Sequence, residues 1–228
     1  MSTSELSAKM REYLAEIYSL SEIDSGAQDY VNTSALAELL DVSAPAVNRM
    51  VTKLKEMGLL LHEPYQGISL TDAGKREALI KLRYQRIAVT FLVKVMGFDW
   101  HRVHEEAARM SSALGETLAQ RMLEMAGNPT HDPFGEPIPS VDGQVDEPED
   151  KRLSDCNDDD AVMISRVRTR EPDRLEYIAA LGLVPGEKLH VVHKAPFNGP
   201  MQLKLSDEYR IIGHNLAELI RVLSVSNA

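Results

Sequence analysis

Residues 44–55 concentrate basic side chains in a chain that is acidic overall. This stretch contains Arg49, Lys53 and Lys55 and no aspartate or glutamate, whereas the whole sequence carries a formal net charge of −10. Arginine and asparagine can form paired hydrogen bonds with the edges of guanine and adenine, and lysine, serine and threonine suit phosphate groups. The chemistry that this stretch indicates is recognition of a nucleic-acid duplex.

Ten residues on this stretch and on the segment after it are predicted to contact DNA. Asn48 and Arg49 are expected to read base edges, and small residues at the start of the helix let its backbone approach the groove closely. The alternative is an amphipathic helix with an ordinary solvated basic face, and the surrounding pattern of elements favours DNA binding over it. The predicted contact residues are Ser43, Ala44, Ala46, Asn48, Arg49, Thr52, Lys53, Lys55, Tyr65 and Gln66.

A second group of residues has the spacing of metal ligands. His101, His104 and Glu105 stand at positions i, i+3 and i+4, which lie on one face of a helix. Imidazoles combined with carboxylates suit Mn²⁺ better than a thiolate-preferring metal. The alternative is a polar surface near a helix N-terminus, where an acidic side chain complements the helix dipole. Candidate carboxylate partners elsewhere in the chain are Glu12, Glu16 and Glu171.

Motifs of the common enzyme classes do not appear in the sequence. It has no Gly-rich phosphate loop of the Walker type and no His-Glu-x-x-His zinc motif, and no pattern places a Ser or Cys nucleophile with its base. The aspartate run 158–160 lacks the alternating spacing and the glycine of a calcium loop, which favours a solvated acidic segment. A protein without enzymatic activity is expected.

The elements that must position the basic stretch follow from apolar spacing. Apolar residues repeat at helical intervals in three segments, near residues 10–17, 36–40 and 47–54, with a turn-rich break at 24–26. The third helix is expected to begin after Ser43 and to end near Gly58. Two β-prone runs, 59–63 and 68–71, then enclose a turn and predict a hairpin. Helix, helix, turn, helix and hairpin in this order form a winged helix-turn-helix.

The remainder of the chain predicts further helices and then short strands. A long helix is expected to start at Thr71 and stop near Gly97, and another to run from about Asp99 past Leu118 with a heptad-like seam, as in a dimerisation layer. Strands near 162–167, 189–193 and 201–205, with a helix at 173–181, indicate a small β-barrel. We therefore predict a mainly α protein with small β content, in four parts: the DNA-binding domain 1–75, a helical dimerisation and metal-binding domain 76–140, an acidic linker 141–160 and a β domain 161–228.

The negative charge does not argue against DNA binding, because it is unevenly distributed. Residues 132–160 contain eleven acidic and two basic residues, a local net charge of −9, which leaves about −1 for the other 199 residues. Cys156 is the only cysteine, so an internal disulfide and a multi-cysteine zinc site are excluded. No apolar run is long enough for a membrane span and the N-terminus lacks a signal-peptide pattern, so we expect a cytoplasmic protein without a membrane partner.

Several segments, in their order, resemble the diphtheria toxin repressor family of metal-dependent regulators. They are residues 32–43, 58–60, 70–74, 96–99, 103–107 and 133–139, and residues 182–220 resemble the small SH3-like domain of the long members. The resemblance implies a homodimer that binds a palindromic operator in double-stranded DNA. It also implies Mn²⁺ or Fe²⁺ as corepressor and a C-terminal SH3-like β-barrel.

The resemblance places metal ligands at only some of the expected positions. Glu12, His104 and Glu171 match, whereas Arg174 occupies another ligand position. The remaining expected positions hold Ala108, Ser111, Ser112, Gln85 and Val89. Three hypotheses therefore stay open: a metal-responsive regulator of metal homeostasis genes, a regulator of the same fold without metal dependence, and a non-DNA-binding interaction protein whose C-terminal barrel binds a peptide or its own Pro-rich linker.

Overall fold

The computed structural model describes residues 6–23, 30–146 and 148–225, and the predicted break at 24–26 lies outside them. The chain divides into two compact units. The first comprises residues 1–85, 112–116 and 139–145, and the second residues 86–111, 117–138 and 146–228. Among the described residues, no helix combines the length and the apolar character that crossing a membrane requires.

The first unit has the predicted order of three helices and a hairpin. Its elements are α1 (Ala8–Ile23), α2 (Thr33–Leu39), α3 (Ala44–Glu56), the antiparallel strands β1 (Leu60–Glu63) and β2 (Gly67–Leu70), and the start of α4 (Asp72–Lys94). The side chain of Asn32 accepts a hydrogen bond from the Ser34 amide at 2.8 Å and so caps α2. Pro45 lies in the first turn of α3, where its missing N–H costs nothing.

The core of this unit is apolar and joins all of its helices. The buried face of α1 carries Met10, Leu14 and Ile17, which pack in one cluster with residues of α2, α3 and the first half of α4. Burying each such side chain contributes about 1.5–3 kcal/mol. At the start of α4 the backbone approaches so closely that a Cβ on Gly74 would lie 1.9 Å from the Leu59 carbonyl oxygen. Only glycine therefore fits there, and it fixes α4 against the connection between α3 and β1.

The helix predicted from Asp99 past Leu118 is wrong, because the chain forms two helices in its place. A 3₁₀ turn (Trp100–Arg102) leads into α5 (Val103–Ser111), and α6 (Glu116–Met125) begins after a break. The break contains Ser112 and Gly115, which favour a helix only weakly, and the hydroxyl of Ser111, the last residue of α5, donates to the Ala108 carbonyl at 3.1 Å. Leu118 consequently does not continue the buried face of α5, and 54% of it is exposed in the single chain.

The C-terminal part of the second unit is an antiparallel sheet with two short helices. The elements are β3 (Lys151–Arg152), β4 (Ala161–Val167), α7 (Pro172–Ala180), β5 (Lys188–Lys194), β6 (Met201–Leu205), β7 (Glu208–Ile212), α8 (His214–Ala217) and β8 (Ile220–Ser224). The six strands run in the order β3, β8, β4, β5, β6, β7. The strands predicted at 162–167, 189–193 and 201–205 are confirmed as β4, β5 and β6, and the helix predicted at 173–181 is confirmed as α7. The sequence pattern did not predict β3, β7, β8 and α8.

Part of the predicted acidic linker 141–160 belongs to this sheet. β3 pairs with β8, and Leu153 and Cys156 that follow it are buried. Burial raises the pKa of the Cys156 thiol, with Lys151 opposing the shift. The acidic composition of residues 141–160 predicted a linker, but composition does not show which acidic side chains are buried. One of them, Asp150, has a completely buried side chain.

Asp150 and Glu136 lie in a network of buried ion pairs. Arg166 bonds both carboxylates, at 2.7 Å to Asp150 and 3.5 Å to Glu136. Arg221 also contacts Asp150 at 2.9 Å, and the Ser165 hydroxyl donates to it at 2.7 Å. Burial opposes the ionisation of both carboxyls, but the surrounding arginines outweigh it and lower the pKa of each. We call this set the arginine network; its members are Arg86, Glu136, Asp150, Ser165, Arg166, Arg168 and Arg221.

The arginine network fixes the proline-rich segment 133–139. Arg86 donates to the Pro137 carbonyl at 2.6 Å, and the Val167 amide donates to the Phe134 carbonyl at 2.9 Å. Gly135 has φ +83°, and a Cβ there would lie 1.8 Å from the Ser165 carbonyl oxygen. The proline-rich segment therefore packs directly on β4.

Candidate DNA interface and metal ligands

The predicted contact surface lies on α3 and on the hairpin behind it. Val47, Val51 and Leu54 are buried in the core of the first unit, and Met50 packs against it. Their burial fixes the rotation of α3 about its axis, so that the opposite face is directed to solvent. Of the predicted contact residues only Ala46 is partly buried, and the exposed ones are Ser43, Ala44, Asn48, Arg49, Thr52, Lys53, Lys55, Tyr65 and Gln66.

The polar groups on this face have few partners inside the protein. Ser43 precedes α3 without capping it through its side chain. Thr52 is the exception, since its hydroxyl donates to the Asn48 carbonyl at 2.9 Å. Arg49, Lys53 and Lys55 form no ion pair with any described residue. A face of unpaired cations and free amide and hydroxyl groups matches the requirements of a DNA-reading helix.

The tip of the hairpin is exposed to solvent, and backbone hydrogen bonds hold its base in place. Val31 exchanges two backbone hydrogen bonds with Ile68, of 2.7 and 2.9 Å, so the segment before α2 pairs with β2. At the tip, Tyr65 is fully exposed and adopts a positive φ of 66°. Large side chains rarely adopt this conformation, which here directs the phenol away from the protein. Tyr65 and Gln66 are thus placed to contact a backbone beside the groove that α3 would enter.

The candidate ligands of the first unit, Glu12 and Glu16, face a lysine that the sequence did not single out. Lys81 lies on α4 opposite α1, and its interactions with both carboxylates favour its charged form. Burial outweighs them and lowers the pKa of Lys81. Glu12 also pairs with Lys9 at 2.8 Å. A helical reading of α4 alone could not reveal this contact, because it depends on how α1 and α4 pack.

His104 has the surroundings of a neutral imidazole. Its ring stacks on Phe134 with centroids 4.3 Å apart, and Phe134 stacks in turn on Trp100 at 4.7 Å. Both ring nitrogens are buried, and neither has a hydrogen-bond partner among the described residues. Burial, assisted by the charge of Arg170, lowers the pKa of His104 to about 4. An unpartnered neutral imidazole is the form in which histidine binds a metal.

The predicted carboxylate ligands of the second unit are paired with arginines. Glu105 pairs with Arg109 at 2.7 Å, and Glu171 pairs with Arg174 at 2.8 Å. Within the described ranges, no three His, Cys, Asp or Glu side chains converge in a group that could hold a metal ion, His101 included. Donors so arranged supply one free imidazole without converging carboxylates, which does not fit a complete Mn²⁺ or Fe²⁺ site.

Three family models together match most of the chain. Residues 5–68 match the N-terminal DNA-binding domain of iron-dependent repressors, residues 71–140 match the metal-binding and dimerisation domain of the same proteins, and residues 151–223 match the FeoA domain. The helical N-terminal regions followed by a small SH3-like β domain confirm the predicted fold class.

Individual relatives agree with these matches. The iron-dependent repressor IdeR of Mycobacterium leprae is 28% identical over 225 residues, covering 93% of this chain and 96% of its own length. A manganese-dependent transcriptional repressor solved with manganese is 34% identical, with a TM-score of 0.85 over 95% of this chain and all of that one. IdeR of T. acidophilum is 26% identical, with a TM-score of 0.83 over 99% and 100%.

Proposed function

The chain belongs to the iron-dependent repressor family, and from that premise we propose that it is a metal-responsive transcriptional regulator of metal homeostasis genes. It binds a palindromic operator in double-stranded DNA as a homodimer, and the metal to which it responds is Mn²⁺ or Fe²⁺. Its role is regulatory and not catalytic. Because a repressor acts on the chromosome, the cytoplasm is the compartment in which it works.

The observation that carries this proposal is the two-sided character of α3. Its apolar side is anchored in the core of the first unit, and its free side presents Asn48, Arg49 and Lys53 to solvent. A rigid helix with such a side can enter the major groove, where Arg49 and Asn48 reach base edges and the lysines reach phosphates. In a homodimer the two copies of α3 read half-sites about 34 Å apart, one helical repeat of DNA.

The residues that hold the metal stay predictions of the sequence. His104 is supported by its unpartnered ring nitrogens, and Glu171 and Glu12 follow from the resemblance to the family. Glu16, His101 and Glu105 are weaker candidates. These donors do not form a complete metal site as they are arranged. The proposed recognition of DNA rests on the residues of α3 and not on the metal.

The test is a DNA titration with and without metal. Duplexes bound by the protein are first enriched from a random pool, and the enriched duplex is then titrated by fluorescence anisotropy at one fixed salt concentration. We expect Mn²⁺ or Fe²⁺ to tighten binding at least tenfold relative to a chelator. Enrichment of no duplex would overturn DNA recognition, whereas equal affinity with metal and chelator would overturn the metal response alone.

A second candidate is favoured by Lys81. Its ammonium group attracts the carboxylates of Glu12 and Glu16 on α1, although burial lowers the pKa of Lys81, so the protein itself supplies a cation near two of the predicted metal ligands. A regulator held this way would bind DNA without metal. Elemental analysis of the purified protein separates the two candidates: stoichiometric manganese or iron supports the first, and tight operator binding by metal-free protein supports the second.

A further inference from the structure

The sheet of the second unit has a groove on its solvent side that the proposed function does not use. The groove has a volume of about 600 Å³ and is open to solvent. Polar side chains from β5, β6 and β7 line it: Lys188, His190, Lys204 and Tyr209. Its remaining walls include apolar groups of β4, β5 and the chain after β8, namely Ala161, Val192 and Val225.

Strand register brings the basic side chains together. His190 of β5 lies opposite Lys204 of β6, and Lys204 lies opposite Tyr209 of β7. Residues directly opposite each other on antiparallel strands project on the same face, so these three form a row across the sheet. Lys188 precedes His190 by two positions and therefore points to the same face. The neighbours Leu189, Val191 and Leu203 point inward and are buried, which fixes the row on the outer face.

The two lysines of this row differ from most cations of the second unit. Lys188 and Lys204 make no hydrogen bond or ion pair with any residue in the described part of the chain. Lys151, by contrast, pairs with Asp160 at 2.8 Å, and Arg166 is completely engaged in the arginine network. In a chain with a net charge of −10, unpaired lysines on one concave surface indicate an anionic ligand.

We propose that this groove binds an extended acidic peptide segment of a partner protein. The lysines and His190 contact its carboxylates, and the apolar walls receive an aliphatic side chain between them. Tyr209 is 56% exposed and Ile211, on the same strand face, is 66% exposed, which extends the apolar surface beyond the groove. A docking surface that combines apolar contact area with polar and charged groups is typical of protein–protein recognition.

Two other anionic ligands fit this surface less well. A free phosphate or carboxylate is too small to fill an open groove of this size. A DNA backbone would be met by a basic surface without apolar walls, because its phosphates offer nothing for valine side chains to contact. The mixed lining therefore favours a peptide.

The test follows valine methyl resonances of the full-length dimer by NMR during titration. The probe is a hexapeptide of four glutamates and two leucines, and the control peptide has glutamine in place of every glutamate. We expect the acidic peptide to shift the Val192 and Val225 methyls and to leave Val47 and Val51 of α3 unchanged. Binding should weaken with added salt, since the contacts are exposed charge pairs.

Matched charge reversals locate the effect. Lys204→Glu should weaken peptide binding at least tenfold, whereas Lys94→Glu, an exposed lysine of α4 outside the groove, should leave it unchanged. No methyl shift at millimolar acidic peptide, or equal shifts with the glutamine peptide, would overturn the proposal. Shifts of Val192 and Val225 produced instead by a random 20-base-pair duplex would assign the groove to nucleic acid. None of these outcomes depends on operator or metal binding by the first proposal.

Discussion

Arg49 on α3 and Arg166 in the arginine network show opposite uses of arginine. On α3, Arg49 is exposed and pairs with no described residue, and the apolar core beneath it supplies the stability. In the second unit, Arg166 is only 4% exposed and is held between two carboxylates. A charge that remains in solvent is available to a ligand, whereas a charge taken out of solvent is committed to architecture. We therefore expect substitutions of exposed arginines such as Arg49 to change ligand binding and to leave stability unchanged. Substitutions of buried arginines such as Arg166 should lower stability.

Arg166→Met should produce the largest effect. Methionine fills a similar volume but leaves the buried Glu136 and Asp150 with one cation fewer, and breaking a buried ion pair costs about 3–5 kcal/mol. We expect the lower end, because Arg86, Arg168 and Arg221 remain. Hydrogen exchange at the Val167 amide, bonded to Phe134, measures the loss locally. Arg109→Met, which removes exposed ion pairs with Glu105 and Glu106, is the control, and an equal effect of both changes would refute the distinction.

Asp132→Asn should have an intermediate effect that depends on pH. Asp132 accepts hydrogen bonds from the amides of Phe134 and Glu136 at 2.8 and 3.0 Å, and burial raises its pKa to about 7, against the pull of Arg86. A carboxyl whose pKa is raised in the folded protein favours folding at low pH and costs stability as the pH rises through that value. Asparagine keeps the acceptor oxygen without the charge.

The melting temperature of Asp132→Asn should therefore exceed that of the wild type by several degrees at pH 8, and the difference should vanish near pH 4. Asp159→Asn, at an exposed turn whose positive φ of 68° asparagine also tolerates, is expected to follow the wild type throughout. A constant difference between the Asp132 variant and the wild type at all pH values would show that ionisation of Asp132 is not the cause. Glu136 and Asp150, whose pKa values are lowered, lose their contribution only at the acid end.

The same contrast explains how much the sequence could predict. The α3 surface depends on helical periodicity over about a dozen residues, so both its buried and its exposed faces could be predicted locally. The arginine network joins Asp150 to Arg166 and to Arg221, 71 positions away, and no local pattern contains that pairing. One signal was available: Val162, Ile164 and Arg166 alternate on one face of β4, and an arginine at an inward position requires a buried carboxylate.

The metal ligands were difficult to predict for a related reason. The spacing of His101, His104 and Glu105 predicts that they share one face of a helix. A coordination site, however, requires donors from several elements to converge. The structure gives His104 two unpartnered nitrogens while Arg109 engages Glu105 and Arg174 engages Glu171. Neighbouring cations decide which side chain is free to bind a metal, and the spacing of residues along the sequence does not predict where those cations lie.

Arg49→Ala should give the smallest effect on the protein itself, because it should change only the affinity for DNA and not the stability. If Arg49 reads a base, its loss costs on the order of 1–3 kcal/mol on the operator and little on random duplex. Lys53→Ala, one helical turn away and equally exposed, is the matched variant: it should weaken both duplexes alike and reduce the slope of log K against log salt by about 1. Neither change should alter the unfolding curve, because both side chains are exposed and do not contribute to the core under α3.

Two results would contradict this prediction. Equal losses of affinity on operator and random DNA for the two variants would show that Arg49 contacts only the DNA backbone. A shifted unfolding curve for either variant would contradict the distinction between exposed charges that bind a ligand and buried charges that stabilise the fold.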